Sequence, residues 1–284
     1  YEKDENSELA PAFDKPGFYS RTIRYHSPEY IVGLVKFLHD KYQVDFINFI
    51  DENLMTMDQY SGRTWLSGIC DLWHKNGLVP ITNEDGSWTG IHWSGTSHAT
   101  LCNKEILHLM SKAGCVHLIY GYESFDDAVM KTIGKGATPK TNIRSFFWTF
   151  EAGIRPVPNQ IMGFPADNFD SFRASMKAWE DLGIQVKPHF ATPYPGSEWY
   201  TMYKAAILEQ YDGSLEDFIL DLGDATKITA VISHNFNAAE LVGLREMMLN
   251  GSYRQIELYE KRWRNIHNIP DGEPSSLLPG YAPH

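Results

Sequence analysis

The fold is decided by one stretch of the chain, GCVHLIYGYES, at residues 114–124. Its apolar run is too short for a helix and lies between two glycines, which is typical of a buried strand in a parallel sheet. Glu123 and Ser124 follow this strand directly, and in parallel α/β folds the ligand-binding groups collect just beyond the carboxyl ends of the strands. The stretch therefore predicts a binding edge; the alternative is that Glu123 caps the next helix, whose first turn is acidic.

Strand and helix patterns alternate on both sides of this stretch. Ser27 and Pro28 combine an N-cap with a proline at the first helical position, which predicts a helix that begins there and runs to about Tyr42. Further strands are predicted at 44–50, 90–98, 157–162 and 186–191, and further helices at 62–75, 104–113, 126–133, 140–152 and 169–182. This rhythm predicts βα units in a parallel sheet or barrel with right-handed crossovers.

The chain is expected to have three parts. Residues 1–26 are polar and predict a loop, and 27–200 hold the alternating pattern of a barrel. Residues 201–284 form a carboxyl-terminal extension, with helical stretches at 215–222 and 238–249 and an irregular tail from about 270. A length of 284 residues is enough for one large α/β domain or two smaller ones.

Composition excludes several classes of protein. A hydrophobic content of 43% and a charged content of 21% are ordinary for a globular protein with a substantial core. The net charge of -11 and the lack of a dense Lys/Arg run argue against a nucleic-acid surface. No apolar run reaches the ~18 residues of a membrane span. No signal segment opens the chain either.

The three cysteines, Cys70, Cys102 and Cys115, stand at wide and unmatched spacings. They predict neither a disulfide framework nor a zinc site. Buried reduced thiols are the expected state, which favours a cytoplasmic protein.

Five phrases occur in a fixed order, each at a predicted strand end or helix start: RYHSPE at 24–29, FIDEN at 49–53, AGCVHLIYGYES at 113–124, GFPAD at 163–167 and PYPGSE at 193–198. This set resembles radical S-adenosylmethionine (SAM) enzymes, in particular the branch that often carries an upstream cobalamin-binding domain. The phrases KGAT at 135–138 and EAGI at 151–154 look like linkers of that branch. Five phrases in register make the resemblance specific over about residues 20–200.

The resemblance implies a partial (β/α)6 barrel of the TIM-like type, with SAM and a [4Fe-4S] cluster at the carboxyl ends of its strands. In such enzymes three cysteines at C-x3-C-x2-C spacing ligate the cluster, and the open iron chelates SAM. An electron from an external donor then cleaves SAM to a 5′-deoxyadenosyl radical, which abstracts a hydrogen atom from a small-molecule substrate. The implied reaction is a cobalamin-dependent methyl transfer or rearrangement, with cobalamin held by an upstream domain.

The sequence departs from this pattern because it contains no C-x3-C-x2-C motif. Its first residues, Tyr1-Glu2-Lys3-Asp4, look like the continuation after the last cluster cysteine. The chain is therefore expected to be a fragment whose missing part carries the first strand and the cluster loop, and which is inactive alone.

Matching the family phrases position by position implies contacts to SAM from four strand ends: Asp51, Glu52, Asn53, Glu123, Ser124, Gly163, Pro165, Ala191, Pro193 and Tyr194. Ala166 and Asp167 replace the family's usual Gly and Glu in the GFPAD phrase. Candidates for substrate contacts are Trp93, His98, Tyr120 and Tyr122, and no residue of this chain is assigned as a metal ligand. His98 lies near where many relatives have an Arg, whose fork of donors an imidazole does not supply.

Two other functions are compatible with the sequence. The first is a barrel that has lost its cluster and serves as a non-catalytic binding subunit or scaffold. The second is an unrelated barrel enzyme such as an aldolase, which has only the shared architecture in its favour.

Overall fold

The computed structural model describes residues 25–51, 53–224, 226–273 and 275. Glu52 of the predicted site, most of the predicted loop 1–26 and most of the predicted irregular tail lie outside these residues. The elements of the amino-terminal half are α1 (Pro28–Tyr42), β1 (Phe46–Asn48), α2 (Leu54–Tyr60), α3 (Trp65–Lys75), β2 (Ile81–Thr82), β3 (Trp88–Thr89), β4 (His92–Ser97), α4 (Lys104–Lys112) and β5 (Cys115–Glu123). They are followed by α5 (Asp127–Thr132), α6 (Pro139–Glu151), β6 (Arg155–Met162), α7 (Phe169–Leu182), β7 (His189–Phe190), α8 (Glu198–Gln210), α9 (Leu215–Asp221), α10 (Ala238–Leu249) and α11 (Tyr253–His267).

The main sheet has five strands in the order β1-β4-β5-β6-β7, and β2 and β3 form a separate antiparallel hairpin. β4 pairs in parallel with β1 and with β5, and β7 pairs in parallel with β6. The predicted alternation of helices with parallel strands is confirmed. Within the described ranges, no helix combines the length and the apolar character needed to cross a bilayer.

The chain divides into two compact units. The amino-terminal unit is the described chain up to Gly121 together with Lys140–Pro158, and the carboxy-terminal unit is Tyr122–Pro139 together with the described chain from Asn159 onward. The division into three parts with a boundary at residue 200 stays a prediction; α8 runs across that residue.

The amino-terminal unit is built on β1, β4 and β5, with α1, α3 and α4 packed in sequence against one another. Ser27 accepts a hydrogen bond from the Tyr30 amide and Pro28 opens α1, as the sequence predicts. A Cβ at Gly95 would lie 2.3 Å from Cδ1 of Leu54, so a larger residue there would displace this buried side chain, which α2 packs against β4.

The carboxy-terminal unit carries two apolar clusters. One joins Val129, Phe164, Ala191 and Ile232, and the other joins residues of α8 and α9 around Phe218. Side chains from α7, α10 and α11 fill the rest of its core, including Phe172, Leu244 and Trp263. The extension beyond residue 200 is therefore largely helical, with α8 and α11 added to the two stretches that the sequence predicts.

Candidate functional site

Glu123 occupies a strained turn at the end of β5. Its φ is 61°, and the Ser124 amide donates to the Tyr122 carbonyl at 2.7 Å, so the three residues form the rarer kind of γ-turn, with positive φ at the centre. A non-glycine residue in this conformation persists only where its surroundings fix it, and such residues cluster at functional sites.

The Glu123 carboxylate is held by an ion pair. Lys135 Nζ contacts its Oε1 atom, and the two side chains are 23% and 15% exposed, Lys135 and Glu123 respectively. Among the described residues Oε2 has no hydrogen-bond partner. The turn thus presents one carboxylate oxygen that is still able to accept a hydrogen bond.

The alternative that Glu123 caps the following helix is wrong. The cap of α5 is Asp126, whose Oδ1 accepts from the Val129 amide at 2.9 Å. Ser124 is buried, and its hydroxyl accepts from the Asp126 amide at 3.1 Å, so this side chain supports the start of α5.

The turn after β6 is held from inside by Asp167. One carboxylate oxygen accepts from the amides of Gly163 and Phe164 at 2.8 and 3.0 Å, and the other accepts from the Ser171 hydroxyl at 2.8 Å. Complete burial raises the pKa of Asp167 to about 7, although these three hydrogen bonds favour the ionised form. With both oxygens engaged, Asp167 builds the turn and does not face a ligand.

Gly163 is the residue of this turn that must be glycine. Its φ is 86°, and an added Cβ would lie 3.2 Å from Cδ1 of Leu241. Pro165 is buried at the second position of a four-residue turn, which the Asp167 amide closes by donating to the Phe164 carbonyl at 3.0 Å.

A later segment of the chain packs on the same turn. The His234 amide donates to the Pro165 carbonyl at 3.3 Å, and the Asn235 side-chain amide donates to the Asp167 carbonyl at 2.8 Å. Ile232 shares an apolar cluster with Phe164 and Ala191. The structure therefore brings the Gly163 turn and the exit of β7 together under residues 232–235.

The last predicted strand end is only partly exposed. Ala191 is buried, and its amide donates to the Met162 carbonyl at 2.8 Å. Pro193 is also buried, at the centre of a turn in which the Tyr194 amide donates to the Thr192 carbonyl at 3.0 Å. Tyr194 itself is 46% exposed.

In the amino-terminal unit, two buried polar atoms lack partners at the ends of adjacent strands. Oδ1 of Asn53, the N-cap of α2 in the segment that follows β1, and Oγ of Ser97, the last residue of β4, have no hydrogen-bond partner among the described residues. A buried acceptor left without a partner costs stability unless a ligand or a water satisfies it. Asp51 is exposed and lines a cavity of about 490 Å³ beside α1, together with Leu34 and Phe49.

The four candidate substrate residues lie mostly inside the protein. Trp93 is 1% exposed and its indole N–H donates to the Ala113 carbonyl at 2.9 Å, so it offers a substrate no free surface. Tyr120 and Tyr122 are fully buried, and the Tyr120 hydroxyl lies 2.8 Å from Oγ1 of Thr149. His98 is half-buried, with Nδ1 2.7 Å from Oγ1 of Thr100 in a short 3-10 turn.

The three cysteines do not fit an iron–sulfur cluster. All three are free and buried thiols, and burial raises the pKa of Cys70 to about 12 and that of Cys115 well above its usual range. Cluster ligands are thiolates, which these sites disfavour. Across the described residues, no group of three or more His, Cys, Asp or Glu side chains is arranged to hold a metal ion.

Sequence reasoning missed three features of the site. Lys135 belongs to a linker phrase in the sequence, although the glycines on both sides of it indicate a turning loop. Ser97 lies at the carboxyl end of the strand predicted at 90–98, where ligand-binding groups collect, so its position is a usable signal. Residues 232–235 carried none, because only the tertiary fold brings them to the Gly163 turn.

Comparison with known proteins identifies the family. The model of the radical SAM superfamily matches residues 15–178. The uncharacterized methyltransferase PH0819 of Pyrococcus horikoshii is 25% identical over 183 residues, which are 63% of this chain and 36% of that protein. The chain thus spans about a third of that relative's length.

Solved structures share the fold. The apo form of OxsB, a cobalamin-dependent SAM radical enzyme, superposes with a TM-score of 0.55 at 13% identity, over 87% of this chain and 46% of OxsB. OxsB with aqua-cobalamin bound gives 0.54 at 13% identity, over 88% and 47%. At this identity the likeness is one of fold, and the predicted α/β fold of the partial TIM-like barrel type is confirmed. Since the family match extends over more than half of its length, the chain belongs to the radical SAM superfamily.

Proposed function

We propose that this chain forms the SAM-binding part of a radical SAM enzyme, with the cluster thiolates supplied from outside these 284 residues. When bound beside a cluster, SAM supplies a 5′-deoxyadenosyl radical, and a cobalamin-dependent methyl transfer or rearrangement of a small molecule is the proposed outcome. An external electron donor and an upstream cobalamin-binding domain are the proposed partners.

The observation that carries the proposal is the turn at Glu123. A carboxylate with one oxygen that no described residue engages stands at the carboxyl end of a parallel strand, on a backbone that its surroundings hold in a costly conformation. The ribose hydroxyls and the ammonium group of SAM are donors that such an oxygen accepts.

Asn53 remains a proposed contact to SAM. Its buried Oδ1 has no hydrogen-bond partner within the described part of the chain and can accept from an ammonium group. The role proposed for Gly163 and Pro165, and for Ala191, Pro193 and Tyr194, is to offer backbone and apolar surface to the adenosine. Asp51 and Glu52 remain proposed contacts, and Ser124 is proposed to keep the Glu123 turn in place rather than to touch the ligand.

The second candidate function is a binding or scaffold subunit without a cluster. It is favoured by the three cysteines, whose thiols are buried and protonated. The sequence of the parent gene before Tyr1 separates the two. Cysteines at C-x3-C-x2-C spacing there, with cluster absorbance and SAM cleavage after anaerobic reconstitution of the longer protein, support the enzyme.

Binding tests the proposal on the chain itself. Isothermal titration of the 284-residue chain with SAM and with S-adenosylhomocysteine is expected to show saturable binding. Glu123→Gln removes the charge from the hydrogen-bond acceptor and is expected to weaken binding about tenfold or more.

The matched control is Glu84→Gln, in an exposed turn of the amino-terminal unit. It changes the net charge by the same amount and should leave the affinity unchanged. A chain that binds neither compound, or a Glu123→Gln variant that binds both as tightly as the wild type while keeping its thermal midpoint, contradicts the proposal.

A further inference from the structure

The loop that carries Lys135 has a backbone conformation that places this lysine against Glu123. It lies between α5 and α6, and the glycines on either side of it, Gly134 and Gly136, have φ of 64° and 71°. An added Cβ at either glycine would meet nothing within 4 Å, so these positions need glycine for the backbone angle and not for space. The loop turns sharply on both sides of one lysine.

The ion pair differs from the surface pairs of the same protein. Lys135 and Glu123 are 12 residues apart, and their side chains are 23% and 15% exposed. The pair between Lys36 and Asp40 is an i,i+4 contact on one helix, with side chains 44% and 55% exposed. A partly buried pair is screened less by salt, and its geometry is better defined than that of two mobile surface side chains.

The pair fixes the orientation of the carboxylate. The backbone turn sets the direction in which the Glu123 side chain leaves the chain, and the ammonium of Lys135 contacts Oε1. The ammonium of Lys135 is a hydrogen-bond donor that occupies Oε1, so a donor of the ligand would have to compete for that oxygen. Oε2 stays available to accept a hydrogen bond from the ligand. A pre-oriented acceptor binds a ligand's donor without losing rotamer freedom at the moment of binding.

We propose that Lys135 is a positioning residue for ligand binding: it acts through Glu123, by holding that carboxylate so that Oε2 meets the hydroxyl or ammonium donors of SAM. This inference rests on the proposed function and adds to it a residue that determines affinity without touching the ligand. Gly134 and Gly136 contribute to this positioning, because their positive φ angles determine where the backbone of Lys135 lies.

A double-mutant cycle tests this role. Lys135→Met removes the charge and keeps most of the side-chain volume, and it is expected to weaken S-adenosylhomocysteine binding about fivefold. Lys135→Arg restores a cation at the same place and is expected to recover the affinity to within about twofold. In the Glu123→Gln background, Lys135→Met is expected to cause no further loss, because the group through which it acts has been neutralised.

The control is Lys131→Met, an exposed lysine on α5 with the same change in charge. It should leave the affinity unchanged, and the thermal midpoint of every variant shows whether it folds. The proposal is overturned if Lys135→Met binds like the wild type, or if its effect persists in the Glu123→Gln background, which would mean a direct contact with the ligand. A wild-type chain that binds no ligand overturns the proposed function as well, so the two failures are distinguishable.

Discussion

Two turns of the carboxy-terminal unit, one at the end of β5 and one after β6, each contain an acidic residue, and the two residues have different roles. Asp167 is 3% exposed, and both of its oxygens accept hydrogen bonds from its own turn and from α7. Glu123 is partly exposed, uses one oxygen for Lys135, and sits on a backbone with φ of 61°. Asp167 stabilises its own turn, whereas Glu123 keeps one carboxylate oxygen available on a turn that other residues hold in place.

The difference suggests a criterion for separating a structural carboxylate from one that is able to bind a ligand when both are found at the ends of parallel strands. An acid whose acceptor sites are all taken by backbone and hydroxyl donors has nothing left for a ligand. An acidic residue with one oxygen available and a positive φ destabilises its own backbone. Such a conformation is more common at functional sites than elsewhere. Sequence position does not distinguish them, whereas the hydrogen-bond partners do.

The largest expected effect concerns the charge of Asp167. Its folded-state pKa of about 7 lies above the ordinary value of 3.8, so the folded protein binds this proton more tightly than the unfolded chain does. The stability from this group is fully present below pH 3.8 and is lost as the pH rises to about 7. A pKa difference of this size corresponds to about 4 kcal/mol.

Urea unfolding of the wild type and of Asp167→Asn from pH 4 to 8 measures this loss. The asparagine keeps every contact, since its oxygen accepts the two backbone amides and its amide can donate to the Ser171 hydroxyl, which turns to the Asn168 carbonyl 2.9 Å away. The wild type should therefore lose stability relative to Asp167→Asn as the pH rises. Parallel curves for the two proteins would mean that Asp167 is ionised throughout, and the contrast with Glu123 would weaken.

The second effect comes from removing the Asp167 carboxylate altogether. Asp167→Ala leaves the buried amides of Gly163 and Phe164 without acceptors, which is expected to cost about 3 kcal/mol in the free energy of unfolding. Asp170→Ala is the control, because Asp170 is exposed on the first turn of α7 and pairs with Arg173. Equal losses in the two variants would show that the turn does not depend on Asp167.

The smallest effect tests the strain at Glu123. Replacing a residue by glycine usually destabilises a protein relative to alanine, but a positive φ reverses that order. Glu123→Gly and Glu123→Ala both remove the carboxylate, so the difference between them reports the backbone alone. The glycine variant is expected to be the more stable by about 1 kcal/mol in urea unfolding. The usual order, with alanine ahead, would remove the argument that this turn is held against its preference.

Local signals in the sequence predicted much of the fold. The Ser27-Pro28 start of α1, the glycine that ends α7 and the buried strand β5 all follow from capping and hydrophobic pattern. Strand ends were less accurate: β1 covers 46–48 rather than 44–50, although the His92 amide still donates to Asp45 and the Phe49 amide to Ser94. The helix predicted at 62–75 begins at Trp65, after a separate helix that was not predicted.

The site was less predictable, because it depends on pairings between distant residues. An aromatic residue of a buried parallel strand has the same pattern whether it lines a cavity or fills the core, so Trp93 could not be placed in the core from sequence. The positive φ of Glu123 has no signal of its own, since the residue is not glycine. Asp167 stands where the family has Glu, and its burial against Ser171 emerges only from the tertiary packing.

The hydrogen bonds from His234 and Asn235 to the Gly163 turn determine how far the chain can be shortened from its carboxyl end. A polypeptide cut near residue 200, at the apparent limit of the shared barrel, would leave the carbonyls of Pro165 and Asp167 without these donors and would uncover Phe164 and Ala191. The last third of the chain thus stabilises the part of the proposed site that would bind the nucleoside. We expect that deleting it would destabilise this turn.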